Sequence, residues 1–120
     1  MKVLILEPGK IARAAEIEHT LKSMQSVVGG MITAVYPFAE PAAVVANDEG
    51  LLLGMPLNRK LSEEVIIAGT CFICGLGEED FADLPDDLMA HFLQQFYYPQ
   101  TFVRVGDNIV PIIYDPDEAE

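Results

Sequence analysis

The chain has 120 residues, the common size of one globular domain, and its 51% apolar content excludes intrinsic disorder for most of it. Seven basic residues stand against nineteen acidic ones, which gives a formal charge of −12. This balance argues against direct binding of nucleic acid, because phosphate contacts need clustered lysine and arginine.

The apolar runs of the sequence are short. Residues 3–6 and 65–68 are typical of them and fall far below the roughly 20 residues that cross a bilayer. Met1 and Lys2 precede only four apolar residues and no small-residue cleavage pattern, so no signal peptide is indicated. We therefore expect a cytoplasmic protein that does not associate with membranes.

The first part of the chain alternates predicted strands with turns. These strands are expected at residues 2–6, 14–18, 31–36 and 42–46. A helix is predicted over residues 21–28, because their apolar residues recur at helical spacing. Thr20 is the expected N-cap of this helix, and Gly29 and Gly30 end it.

The segment from Asn47 to Arg59 places polar residues and glycines between apolar runs. Asn47-Asp48-Glu49-Gly50 predicts a hairpin turn that joins the strand at 42–46 to a partner strand at 51–53. Residues 54–57 break that strand. Residues 58–64 are predicted to be a loop or a short helical turn.

The last part of the chain predicts one long buried strand at 65–74 and a helix over 85–98 that ends at Pro99. Residues 101–105 and 109–114 then form a predicted hairpin. Strands that follow one another through tight turns indicate an antiparallel sheet. The prediction is thus an α+β fold, mostly an antiparallel sheet with two helices packed on one face.

We expect residues 1–114 to form this single domain. The remaining residues, 115–120, are an acidic tail that is predicted to be disordered.

Few residues of the chain suggest catalysis. Cys71 and Cys74 are three apart within a predicted strand, so their side chains should point to opposite faces of the sheet. We expect them to be core thiols rather than a redox pair or a zinc site. His19 and His91 have no evident nucleophile or metal-ligand partner. No catalytic residue, metal or cofactor is predicted, and the sequence favours a protein that is not an enzyme.

The candidate binding residues are Asn47, Asp48, Asn58 and Arg59. An arginine after a break in a strand suits the recognition of a carboxylate or a phosphate. The alternative is an internal partner that holds the loop down, namely an acidic side chain such as Glu63, Glu64 or Asp48.

The sequence also carries a set of short motifs in a fixed order over residues 2–98. They are Glu7-Pro8-Gly9-Lys10, Leu21-x-x-Met24-Gln25-x-x-Val28-Gly29-Gly30, Asn47-Asp48-Glu49-Gly50 with Leu57-Asn58-Arg59, Ile67-x-Gly69-Thr70 and Asp80-Phe81-x-x-Leu84. This pattern resembles a small family of bacterial, plasmid and phage proteins that is catalogued only as a domain of unknown function. The resemblance implies an accessory protein of mobile elements, sometimes a module of larger polyvalent proteins. It implies no catalytic residues, but it makes Asn47, Gly50, Asn58 and Arg59 parts of one motif.

Three functional hypotheses follow. The leading one is a non-catalytic binding or interaction module with a protein partner. The first alternative is a binder of, or an enzyme for, an anionic metabolite or nucleotide, with its site around residues 47–50 and 58–59. The second is an acidic mimic of DNA or an anti-restriction protein. A homodimer is a further expectation, because Tyr97 and Tyr98 cannot both face inward and a sheet edge is free.

Overall fold

The computed structural model describes residues 1–118 as ten strands and two helices. The strands are β1 (Lys2–Leu6), β2 (Arg13–Glu16), β3 (Ile32–Val35), β4 (Ala42–Asn47), β5 (Leu57–Ser62), β6 (Val65–Ala68), β7 (Cys71–Leu76), β8 (Phe81–Ala82), β9 (Gln100–Val105) and β10 (Asn108–Ile113). The helices are α1 (Leu21–Val28) and α2 (Asp86–Gln95).

The centre of the fold is an antiparallel sheet in the order β2-β1-β7-β4-β3, with the short β8 paired to the end of β7. Its three central strands are nearly continuous apolar runs that are buried on both faces. Leu4, Ile73 and Val44 lie side by side on one face. Their neighbours in sequence pack on the other face, so the sheet divides two hydrophobic cores.

The two helices cover opposite faces of this sheet. Met24 and Val28 of α1 pack with Phe72 in one core, whereas Phe92 of α2 and Phe96 just after it pack in the other. The prediction that both helices lie on one face is therefore wrong. Since the central strands are apolar on both faces, each face needs its own cover.

Two hairpins complete the fold. β5 and β6 form a two-stranded ribbon that contributes Leu61 and Ile67 to the core on the α2 side of the sheet. β9 and β10 form a second ribbon, and Gly106, at φ +62°, occupies its two-residue turn.

Several local predictions are confirmed. The hairpin β1–β2, the helix at 21–28 and the C-terminal hairpin are all present. The Thr20 Oγ accepts a hydrogen bond from the Ser23 backbone N–H at 3.1 Å, and Gly29 ends the helix in the left-handed conformation. Cys71 and Cys74 point to opposite faces of β7, each into a different core.

Three predictions between residues 51 and 74 are wrong. Residues 51–53 form turns rather than a strand, and the segment predicted as a loop at 58–64 contains most of β5. The predicted long strand at 65–74 divides into β6 and β7, because Gly69 turns the chain at φ +81°.

The C-terminal segment begins with a turn in which the Asp115 carboxylate accepts the Asp117 backbone N–H at 2.9 Å. The last two residues of the predicted acidic tail, Ala119 and Glu120, lie outside the described residues. Neither of the helices in residues 1–118 is long and apolar enough to span a membrane.

Candidate binding site

Asn58 and Arg59, the second half of the motif, lie side by side in the interior. The pairing of β5 with β6 shifts register between Leu57 and Arg59, where β5 has one residue more than β6. Such a bulge lets two consecutive side chains escape the strict alternation of a strand. Both Asn58 and Arg59 are accordingly 0% exposed.

The Arg59 guanidinium is held by main-chain oxygens from two distant segments of the chain. Its Nε donates to the Phe96 carbonyl at 2.9 Å, its Nη1 to the Glu7 carbonyl at 3.1 Å and its Nη2 to the Lys10 carbonyl at 2.6 Å. Phe96 caps the C-terminus of α2, where the helix dipole favours a positive charge. Arg59 thus ties β5 to the turn after β1 and to the end of α2.

Asn58 completes this cluster. Its Nδ2 donates to the carbonyls of Leu6 and Gly69, each at 2.8 Å, and its Oδ1 accepts Arg59 Nη1 at 2.7 Å. These bonds join β5 to the end of β1 and to the turn between β6 and β7. Asn58 and Arg59 are therefore structural groups whose hydrogen-bonding capacity is directed inward.

The sequence left open whether Arg59 binds a ligand or an internal partner. The structure shows internal partners, but they are not the ones that were predicted. An acidic side chain was the expected internal partner, but the partners are carbonyl groups and the Asn58 amide. Burial lowers the pKa of Arg59, and the neighbouring Cys71, Tyr114 and Glu7 oppose that change. The guanidinium remains charged, as arginine does in proteins.

Asn47 is also a structural residue. It is 7% exposed, its Nδ2 donates to the Val28 carbonyl at 3.2 Å, and its Oδ1 accepts the Glu49 backbone N–H at 2.8 Å. The amide therefore fastens the end of α1 to the loop that follows β4. Asp48, by contrast, is exposed.

Residues 48–56, which connect β4 to β5, form what we call the leucine loop. Its turns are closed by backbone hydrogen bonds from Leu53 N to Glu49 O at 2.8 Å and from Met55 N to Gly50 O at 3.0 Å. Gly50 packs so closely on β6 that a Cβ there would lie 2.6 Å from the Ala68 carbonyl oxygen. The loop is therefore seated on the body of the protein at a fixed place.

The tip of the leucine loop is apolar and open to solvent. Leu51, Leu52 and Leu53 are 70%, 87% and 60% exposed, and Met31, whose carbonyl accepts the Asp48 N–H, is 64% exposed. Scattered single apolar residues are normal on a protein surface, but a contiguous group indicates a contact site.

A cleft of about 370 Å³ lies beside this loop. Its walls are Thr33 of β3, the start of the leucine loop, and residues 66–68 of β6. Asn47 and Asp48 line the cleft, whereas Asn58 and Arg59 do not. The four predicted binding residues are thus divided between a surface cleft and the interior, and they do not form one site.

The thiols in the core offer little reactivity. Burial raises the pKa of Cys71 to about 12 and that of Cys74 to about 12. Such groups are protonated at neutral pH and are poor nucleophiles. Within residues 1–118, no group of three or more histidine, cysteine or acidic side chains is arranged to hold a metal ion.

The exposure of the three leucines does not follow from the sequence pattern. Three leucines after a glycine match a short buried run, which predicts a strand at residues 51–53. The available signal was their position between Gly50 and Gly54, because glycine is typical of turns.

The comparisons with known proteins give a family and no function. The model of the family described as "Domain of unknown function (DUF3846)" matches residues 1–97, so the chain belongs to that family. The comparisons with curated proteins and with solved structures gave no match. The matched region contains the leucine loop and the Asn58–Arg59 cluster, and it ends before the hairpin β9–β10.

Proposed function

We propose that this member of the DUF3846 family is a non-catalytic binding module that contacts a protein partner through the leucine loop. The observation that carries the proposal is the exposure of Leu51, Leu52 and Leu53 on a loop that the fold holds in place. Asn47, at the start of the motif, bonds to the first turn of this loop.

Rigidity matters for this function because an ordered contact loop loses little conformational entropy when it binds. Asn47 anchors the start of the loop, Gly50 seats it on β6, and the Pro56 carbonyl at its end accepts the Gly69 N–H at 2.8 Å. Apolar side chains presented in this way suit insertion into an apolar pocket of a partner, because removing apolar surface from water is favourable.

The alternative of an anionic metabolite or nucleotide is less well supported. That hypothesis requires Arg59 to face a ligand together with Asn47, Asp48 and Asn58. The guanidinium is committed to three main-chain carbonyls and lies outside the cleft. The cleft therefore lacks the arginine that would have recognised a phosphate or carboxylate.

The cellular setting of the proposal is the cytoplasm, in an accessory role on mobile elements. The support for this setting is the resemblance carried by the ordered motifs of residues 2–98. Such a module would act by occupying a surface of another protein rather than by chemistry of its own.

Site-specific photo-crosslinking tests the proposal. A photoreactive residue at position 52 should give a discrete covalent adduct with one partner protein in cells. The matched control is position 21, because Leu21 is 56% exposed but lies on α1. Equal adducts at both positions, or none at position 52, would contradict a binding role for the leucine loop.

A further inference from the structure

The open strand edges of this protein differ in whether they are protected against pairing with another strand. The outer strands of the main sheet are β2 and β3, and β10 is the second strand of the two-stranded C-terminal ribbon. An unprotected edge is a template for another strand, so natural proteins usually carry charges or proline there.

Two of these three edges carry such protection. β2 contains the charged residues Arg13 and Glu16 in a strand of four. β10 contains Pro111, and the hydrogen bond from Tyr114 N to Pro99 O fixes the pairing pattern of its hairpin. In that pattern, the nitrogen of Pro111 points away from β9 and has no hydrogen to offer at the open edge.

The edge of β3 carries no protection of this kind. Its sequence, Ile-Thr-Ala-Val, has neither a charge nor a proline. The hydrogen bond from Asp48 N to Met31 O, at 2.8 Å, identifies Met31 and Asp48 as a hydrogen-bonded pair across β3 and β4. By the antiparallel alternation, the backbone N–H and C=O groups of Ile32 and Ala34 then point outward from the sheet.

Two clefts lie beside β3. One places Thr33 opposite residues 66–68 of β6, and the other brings Tyr36 and Pro37 close to Val65. The leucine loop borders the first cleft near the start of β3, and Tyr36, which is 62% exposed, borders the second cleft just after the end of β3. Apolar side chains therefore lie near both ends of the open edge.

Acidic residues border both clefts. Asp48 and Glu49 line the cleft beside the leucine loop, and Glu63 and Glu64 line the cleft beside Tyr36. In the described part of the chain, the one ion pair that involves these four carboxylates joins Glu63 to Lys60, at 3.8 Å. A second copy of this chain, paired antiparallel along β3, would set the carboxylates of one end against those of the other, which is unfavourable.

We propose that β3 receives an extended segment of a partner protein as an added strand, and that this segment has alternating apolar residues flanked by lysine or arginine. The inference rests on the proposed function and names the partner's chemistry. Main-chain hydrogen bonds to Ile32 and Ala34 give affinity, as in other cases of strand addition. The partner's side chains that point toward β6, and the attraction of its basic residues to the acidic residues near both ends of β3, determine which segments bind.

Selection from a random library of displayed twelve-residue peptides tests the inference. Wild-type protein is one bait, and Ala34→Pro, used for a parallel selection, is the second because it removes one outward N–H, as Pro111 does in β10. Ala34→Ser, which keeps that N–H, is the matched control. We expect peptides with alternating apolar residues and basic flanks, which bind Ala34→Pro at least about tenfold more weakly than wild type.

Hydrogen exchange on the wild-type protein gives a readout that does not depend on the folding of Ala34→Pro. A selected peptide should slow exchange of the Ile32 and Ala34 amides by about tenfold or more, since these groups acquire partners. The amides of Thr33 and Val35, which already face β4, should change little.

The possible outcomes separate this inference from the proposed function. Peptides that lose binding with Leu52→Glu but bind Ala34→Pro normally would retain the leucine loop as the contact site and overturn strand addition. Failure to enrich any peptide over the Ala34→Pro bait, or enrichment of acidic peptides, would also overturn it. A dimer in light scattering that Ala34→Pro abolishes would identify a second copy as the occupant and overturn the basic partner.

Discussion

Two parts of the segment from Asn47 to Arg59, namely the buried half Asn58–Arg59 and the exposed half Leu51–Leu53, reverse the usual relation between polarity and exposure. Asn58 and Arg59 are polar and fully buried, whereas the three leucines between Gly50 and Gly54 are apolar and exposed. The comparison teaches that residue type alone does not identify a site. Hydrogen bonds to carbonyl groups explain the polar half, and nothing in the described interior uses the apolar half.

The largest expected contrast between the two halves is in thiol reactivity. Cys71 lies against the Asn58 amide, and its raised pKa of about 12 leaves almost no thiolate near neutral pH. A cysteine introduced by Leu52→Cys would have an ordinary thiol in the open. At about pH 8 we expect a thiol reagent to label it at least about a thousandfold faster than Cys71. Mass spectrometry of digested, labelled protein measures both rates.

Unfolding supplies the control for that measurement. In concentrated urea all three thiols should react at similar rates, because the interior no longer exists. If Cys71 or Cys74 in the native protein were labelled at a rate within tenfold of that of the introduced thiol, the protein interior would have to open readily.

Substitution of the buried arginine should have the largest effect on stability. Arg59→Met removes the donors to three carbonyls and leaves the Phe96 oxygen unpaired in the interior. Since an unsatisfied buried polar group costs about 1–3 kcal/mol, we expect the free energy of unfolding to fall by about 2–5 kcal/mol. Urea denaturation followed by circular dichroism measures the change.

Arg13→Met is the matched control, because Arg13 pairs with Glu7 at the surface. Its effect should stay below about 1 kcal/mol, as for other exposed ion pairs. Equal losses in the two variants would mean that the carbonyl cluster around Arg59 does not stabilise the fold.

The local elements could be predicted well from the sequence, and physical reasons explain why. A capping threonine and two glycines lie within ten residues of each other around α1, so its bounds follow from nearby signals. The hairpin β9–β10 is equally local. By contrast, the face that each helix covers depends on which strands are central, and that order is set by pairings between distant segments.

The site was harder to predict for the same reason. Arg59 hydrogen-bonds to residues 37 to 52 positions away, and no short pattern identifies a carbonyl as a partner. The bulge that turns both Asn58 and Arg59 inward also leaves no clear mark on the sequence. The motif resemblance did imply that residues 47–50 and 58–59 belong together, and the structure gives the reason. Asn58 and Gly50 both contact the C-terminal end of β6, through Gly69 and Ala68.

A change of intermediate size is expected where the two halves meet. Gly50→Ala adds a Cβ that would lie 2.6 Å from the Ala68 carbonyl oxygen, so the leucine loop must shift away from β6. We expect a loss of about 1–3 kcal/mol in the free energy of unfolding, together with altered NMR chemical shifts in the loop. Gly54→Asn is the control, since asparagine tolerates the φ of +71° found at Gly54 and no atom lies within 4 Å of the added Cβ. A loop that keeps its shifts in Gly50→Ala would contradict close seating on β6.

The smallest change in stability is expected at Leu52. Leu52 is 87% exposed, so Leu52→Gln removes almost no buried apolar surface. The free energy of unfolding should change by less than about 0.5 kcal/mol, whereas Leu84→Gln, at a fully buried position beside α2, should lose several times more. Urea denaturation of both variants makes this comparison directly. A large loss with Leu52→Gln would mean that the leucine belongs to the fold, and the loop would then have no surplus apolar surface for a partner.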